Sequence, residues 1–122
     1  MLSEINIHKD KNLIEIKLSG LVLLDELKKE GLKIRQHAFK HGRMKYLVDS
    51  RDAVAMARVG PLALSEPINW WMLTPYCKKI AVVIPASERD YFQFLEMIGR
   101  NAGVRVKVFL EVNGANKWLG VM

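Results

Sequence analysis

Two polar clusters carry side chains of the types that do chemistry. Asp49, Ser50, Arg51 and Asp52 follow the apolar run "KYLV", and Ser87, Arg89 and Asp90 follow "KKIAVVIP". If those runs are neighbouring parallel strands, both clusters reach one sheet edge, where open α/β folds bind ligands. Arg51 and Arg89, with the N–H groups of a helix starting near Ser87, then suit a phosphate or carboxylate group. A structural reading competes with this. Arg51 and Asp52 would form surface ion pairs, and Ser87 would cap the helix with Asp90 three residues on, as in a loose capping box. On either reading Asp49 is expected where the strand leaves its sheet, as the polar mouth of the strand end.

Other candidate centres are less complete. His37 and His41 share a helix face at i, i+4 spacing, but no third ligand is placed by spacing, so a solvated pair is expected and no metal. Cys77 precedes Lys78 and Lys79, whose charge would lower its pKa if they approached the sulfur. Adjacent residues of an extended segment point opposite ways, however, and no histidine is placed as a base, so a structural thiol is expected. No nucleophile elbow or ordered Ser-His-Asp set occurs, so no catalytic residue is assigned and no cofactor is expected.

The elements that position these residues follow from periodicity. Ile5 and Ile7, then Ile14, Ile16 and Leu18, alternate around the polar turn "KDKN", which predicts a hairpin. From Leu23 the period becomes helical, with Leu24, Leu27, Gly31, Ile34 and Ala38 on one stripe and Lys29, Lys33, Gln36 and Lys40 opposite. Gly31 within the apolar stripe predicts a close backbone approach. "KYLVD" and "KKIAVVIP" are apolar at consecutive positions, which predicts parallel strands covered on both faces. The segment between them is broken by Pro61, Pro67 and Pro75 into one interrupted or two short helices. A helix from Ser87 to Gly103, an alternating strand "VRVKVFLEV" and a short terminal helix with Trp118 and Leu119 packed down complete the chain. The expected architecture is α/β: an N-terminal antiparallel hairpin, then parallel strands, with helices packed on one mixed sheet.

The 122 residues, half of them hydrophobic, are the length of one domain with its own core, so a single domain over 1–122 is expected. One cysteine, no recognisable leader and no long apolar run predict a reduced, cytoplasmic protein without a transmembrane segment. The net charge of +6 is local: seven basic residues between Lys28 and Lys45 face Glu30 alone, while the rest of the chain balances. That segment suits a solvated helix face. Nucleic acid is not the expected partner, because exposed aromatics do not interleave with the basic stripe.

The apolar content is more telling. Trp70, Trp71 and Met72 cluster before a central strand, and Tyr91, Phe94 and Ile98 belong to a helix apolar around most of its circumference. One sheet cannot cover every side of such a helix, so a second subunit or an internal pocket is expected against it.

The order of "YLVDSRDA", "YCKKIAVVIP" and "VKVFLEVNGANKWL" resembles the SpoIIAA-like branch of the STAS superfamily, the STAS/SEC14-related domains, over nearly the whole chain. The resemblance implies a mixed sheet with packed helices, and protein interaction, regulation or apolar-ligand binding more often than catalysis. In the phosphorylated members the acceptor serine lies in a second Asp-Ser pair, at the start of the next helix. Here that stretch reads "MARVGPLALS", so phospho-switching by that route is not expected. The function expected is a non-enzymatic regulatory or protein-interaction module. It would form a homodimer through Trp70, Trp71 and Met72 or through the helix of Tyr91, Phe94 and Ile98. The alternative is a carrier or sensor of a small apolar or amphipathic ligand, with Trp70, Trp71 and Met72 lining the cavity and Asp49, Arg51, Ser87 and Arg89 at its polar head.

Overall fold

The alternating isoleucines build the hairpin they predict. In a computed structural model describing residues 2–21, 23–41, 44–54, 77–101 and 103–121, β1 (Leu2–His8) pairs antiparallel with β2 (Leu13–Leu21). Ile5 stands opposite Ile16 and Ile7 opposite Ile14. The connection is a 3-10 turn over Lys9–Lys11 that ends on Asn12 at φ 54°, a left-handed conformation that asparagine tolerates better than most residues. Then follow α1 (Leu24–His41), β3 (Met44–Val54), β4 (Cys77–Val83), α2 (Arg89–Asn101), β5 (Arg105–Phe109) and α3 (Val112–Leu119).

The strands lie in the order β1-β2-β3-β4-β5, with β2 to β5 parallel. This is the mixed α/β sheet expected from the sequence. Because β2 to β3 and β4 to β5 step the same way across the sheet, right-handed crossovers place α1 and α2 on one face. That face carries Ile14, Ile16, Leu18, Tyr46, Val48, Ile80, Val82 and Val106, all buried. On α1, Gly31 is buried while Lys29, Lys33, Gln36 and Lys40 are exposed, as the helical period requires.

On α2, Gly99 sits against Val106. A Cβ there would meet both the Val106 side chain and, at 3.1 Å, the Val104 carbonyl oxygen. Gly99→Ala is therefore expected to destabilise by about 1–2 kcal/mol despite alanine's better helix propensity, because overpacking costs more than propensity returns. A urea midpoint equal to or above the parent's would contradict this.

The opposite face is covered over β3 to β5 by α3. Leu13, Leu47, Ala81 and Val83 form one cluster with Ala115 and Leu119, flanked by Phe109, Val112, Trp118 and Val121. β4 is apolar at consecutive positions because it is buried on both sides, from Ile80 through Val83. Gly120 at φ 74° ends α3, its N–H donating to the Lys117 carbonyl at 3.1 Å.

Three boundaries differ from the sequence expectations. β3 does not leave the sheet at Asp49 but runs on to Val54, because β2 continues beside it to Leu21 across an irregularity between Asp49 and Asp52. Ser87 does not cap α2. It lies inside a 3-10 turn (Ala86–Glu88) that enters the helix directly; the capping position is Pro85, with no side-chain cap bond. β5 stops at Phe109, leaving Leu110 exposed. Trp70, Trp71 and Met72 fall outside the described residues, as do the side chains of Tyr91, Phe94, Ile98, His37, His41 and Cys77.

Candidate functional site

The polar cluster on β3 is bonded to the fold. Arg51 donates from Nε to Asp49 Oδ1 at 3.0 Å and from Nη2 to Oδ2 at 2.8 Å, and its backbone N–H reaches Oδ1 at 3.2 Å. This is a bidentate pair, the strongest geometry open to a carboxylate and a guanidinium. The Asp49 side chain is 12 % exposed and that of Arg51 44 %. The Arg51 hydrogen bonds hold the Asp49 carboxyl below the usual aspartate range, outweighing the opposite effect of burial. Ser50, 1 % exposed, donates from Oγ to the Val83 carbonyl at 2.9 Å and so ties β3 to the end of β4. These groups satisfy one another.

The second predicted cluster stands apart in its contacts. Ser87 and Arg89 are both exposed, and Arg89 lines a cleft with Gln93, Glu96, Lys107 and Phe109 that neither Asp49 nor Arg51 lines. Glu88, beside Ser87, is partly buried, and desolvation pushes its carboxyl up.

An unbalanced charge cluster lies at the other end of the strands. Lys45 stands opposite Lys79, and Lys79 opposite Arg105, near the N-terminal ends of β3, β4 and β5. All three surround the end of α3. Lys79 Nζ donates to the Trp118 carbonyl at 3.0 Å and sits 5.0 Å from the Trp118 ring centre, with Arg105 at 5.9 Å. Lys45 Nζ lies 3.8 Å from where a Cβ on Gly120 would be. Lys107 extends the charge along β5, over the Phe109 ring at 5.6 Å.

The helix end accounts for part of this arrangement, since its carbonyls favour cations by about 0.3–1 kcal/mol each. It does not neutralise the row. Burial, then the charges of Arg105 and Lys45, hold the Lys79 ammonium below the ordinary lysine range. Among the described residues the ion pairs are His8–Glu15, Lys17–Asp52, Lys33–Glu30 and Asp49–Arg51, and none takes a member of the row.

Sequence reasoning did not single out this row, although a signal was present. A basic residue stands directly before each strand core, in "KYLV", "KIAVV" and "RVKV". Among the described residues, no helix is long and apolar enough to cross a membrane. No protein-family model, curated protein or solved structure matches the chain.

Proposed function

We propose that the chain is a non-enzymatic association module of the STAS-like kind, working through protein interaction, and that it engages an anionic partner. The observation that carries this is the row of Lys45, Lys79 and Arg105 around Trp118. Like charges on facing positions of neighbouring strands destabilise a sheet. A row that costs stability and borders open surface suits a partner whose negative charge relieves it. The bonding of Asp49, Ser50 and Arg51 to one another and to Val83 agrees with a structural role for that cluster. Self-association through Trp70, Trp71 and Met72, or through the helix of Tyr91, Phe94 and Ile98, belongs to the same proposal.

The test is anisotropy of a labelled polyglutamate probe. Binding is expected at about 20 mM salt and should weaken about tenfold by about 200 mM, as exposed charges become screened. Lys79→Met should weaken it about fivefold while moving the thermal midpoint by only about 3 °C, since losing the Trp118 carbonyl bond offsets relief of the row. No binding at low salt, or binding indifferent to Lys79, would sink the proposal.

A further inference from the structure

β5 ends the sheet, and the orientation of its main chain is fixed by one bond. The Phe109 carbonyl accepts the Ile84 N–H at 2.9 Å and so points inward, toward β4. Alternation along the strand then turns the N–H and carbonyl groups of Val106 and Val108 outward. Two outer donors are already held from within the chain. The Val104 N–H bonds the Gly99 carbonyl at 2.9 Å, and the Val108 N–H bonds Glu96 Oε1 at 2.9 Å. The Glu96 carboxylate thus stands where the carbonyl of a sixth strand would stand.

Two clefts, of about 400 and about 580 Å³, meet at Glu96 and Lys107 along this edge. Arg89, Arg100, Arg105 and Lys107 line them, all exposed, and Glu96 is the one carboxylate among the described lining residues. With Glu96 engaged by the Val108 N–H, the edge offers main-chain groups beside cations that form no ion pair among the described residues.

We infer that the β5 edge docks an extended acidic segment of a partner protein, which pairs its main chain with Val106 and Val108 and displaces the Glu96 carboxylate. The inference rests on the association reading above and names the surface and the partner's chemistry. Strand addition supplies hydrogen bonds from the backbone, and acidic side chains along the incoming strand meet Arg105 and Lys107. A second copy of β5 is a poor occupant, because antiparallel pairing centred on Val106 or Lys107 sets cation against cation. Glu96 also guards the edge against indiscriminate pairing: an incoming strand must match in both backbone and charge to oust it.

The test uses the full chain and a labelled short peptide of alternating Glu and Val, its analogue N-methylated at every residue, and a Lys-Val counterpart. The Glu-Val peptide should bind at low salt; the N-methylated analogue, equal in charge but lacking main-chain donors, about tenfold more weakly; and the Lys-Val peptide not at all. Arg105→Glu and Lys107→Glu should each cost about tenfold. Glu96→Ala should tighten binding about threefold by removing the competing acceptor, with its thermal midpoint followed to confirm folding. Equal binding of the two acidic peptides would overturn the inference and leave the association reading standing on charge alone. Failure of every acidic probe at low salt would remove both. A concentration-dependent doubling of mass that Arg105→Glu strengthens would assign the edge to a second copy and also overturn the inference.

Discussion

Leu119→Ala is expected to remove about 3 kcal/mol of unfolding free energy and to lower the thermal midpoint by about 10 °C. Leu119 is fully buried, beneath the last turn of α3, and shares its helix face with Ala115 one turn earlier. Both press on Leu13, Leu47, Ala81 and Val83, which form the second face of the sheet. An eight-residue helix is not stable alone, so its attachment depends on this contact rather than on propensity. Truncation leaves a cavity that Ala115 cannot fill, and the tilted Phe109–Trp118 pair, with centroids 5.8 Å apart, loses its neighbour. Lys117→Ala, on the exposed side of the same helix, should stay within about 0.5 kcal/mol of the parent. A loss below about 1 kcal/mol for Leu119→Ala would mean that the sheet is stable without its α3 cover.

The predicted coupling between α3 and the cationic row gives this experiment a second readout. Trp118 presents its carbonyl to Lys79 and its ring to Lys79 and Arg105. Loosening α3 should therefore weaken polyglutamate binding as well as stability. Hydrophobic anchorage and partner recognition meet at one turn of helix.

How far the sequence disclosed this molecule depends on the range over which each feature is encoded. The hairpin, α1, the doubly buried β4 and the seating of Trp118 and Leu119 are local patterns, and each is where periodicity places it. The extension of β3 was hidden because Asp49, Ser50, Arg51 and Asp52 read as a rim. They remain in a strand because Ser50 bonds Val83 and Arg51 folds back onto Asp49, compensations that exist only after the sheet has formed. The row of Lys45, Lys79 and Arg105 is encoded across three segments joined by register, so each cation alone looks like a solvated strand start. Glu96 gives no sequence signal of its role, since its bond to Val108 arises from packing of α2 against β5.

Arg51→Met should cost about 2 kcal/mol at neutral pH, and the cost should shrink in acid. The substitution leaves the Asp49 carboxylate, 12 % exposed, with the Arg51 backbone N–H at 3.2 Å and without its guanidinium. The figure lies below that for a fully buried pair because the Arg51 side chain is 44 % exposed and water can enter. Asp49 is depressed in the folded chain, mainly by its hydrogen bonds to Arg51. A depressed carboxyl contributes stability that is present above its unfolded pKa, about 3.9, and is lost as pH falls through the folded value. The parent should therefore lose this contribution below about pH 4, whereas in Arg51→Met burial dominates, Asp49 protonates earlier, and the two stability curves converge. Asp49→Asn should cost less than Arg51→Met, because it strands a half-exposed guanidinium rather than a buried carboxylate. The double substitution should be less damaging than the sum of the singles. Urea unfolding of the four proteins at neutral and acid pH measures the whole cycle. A gap between the parent and Arg51→Met that holds constant into acid would show that the pair acts by packing of the arginine stem rather than by charge.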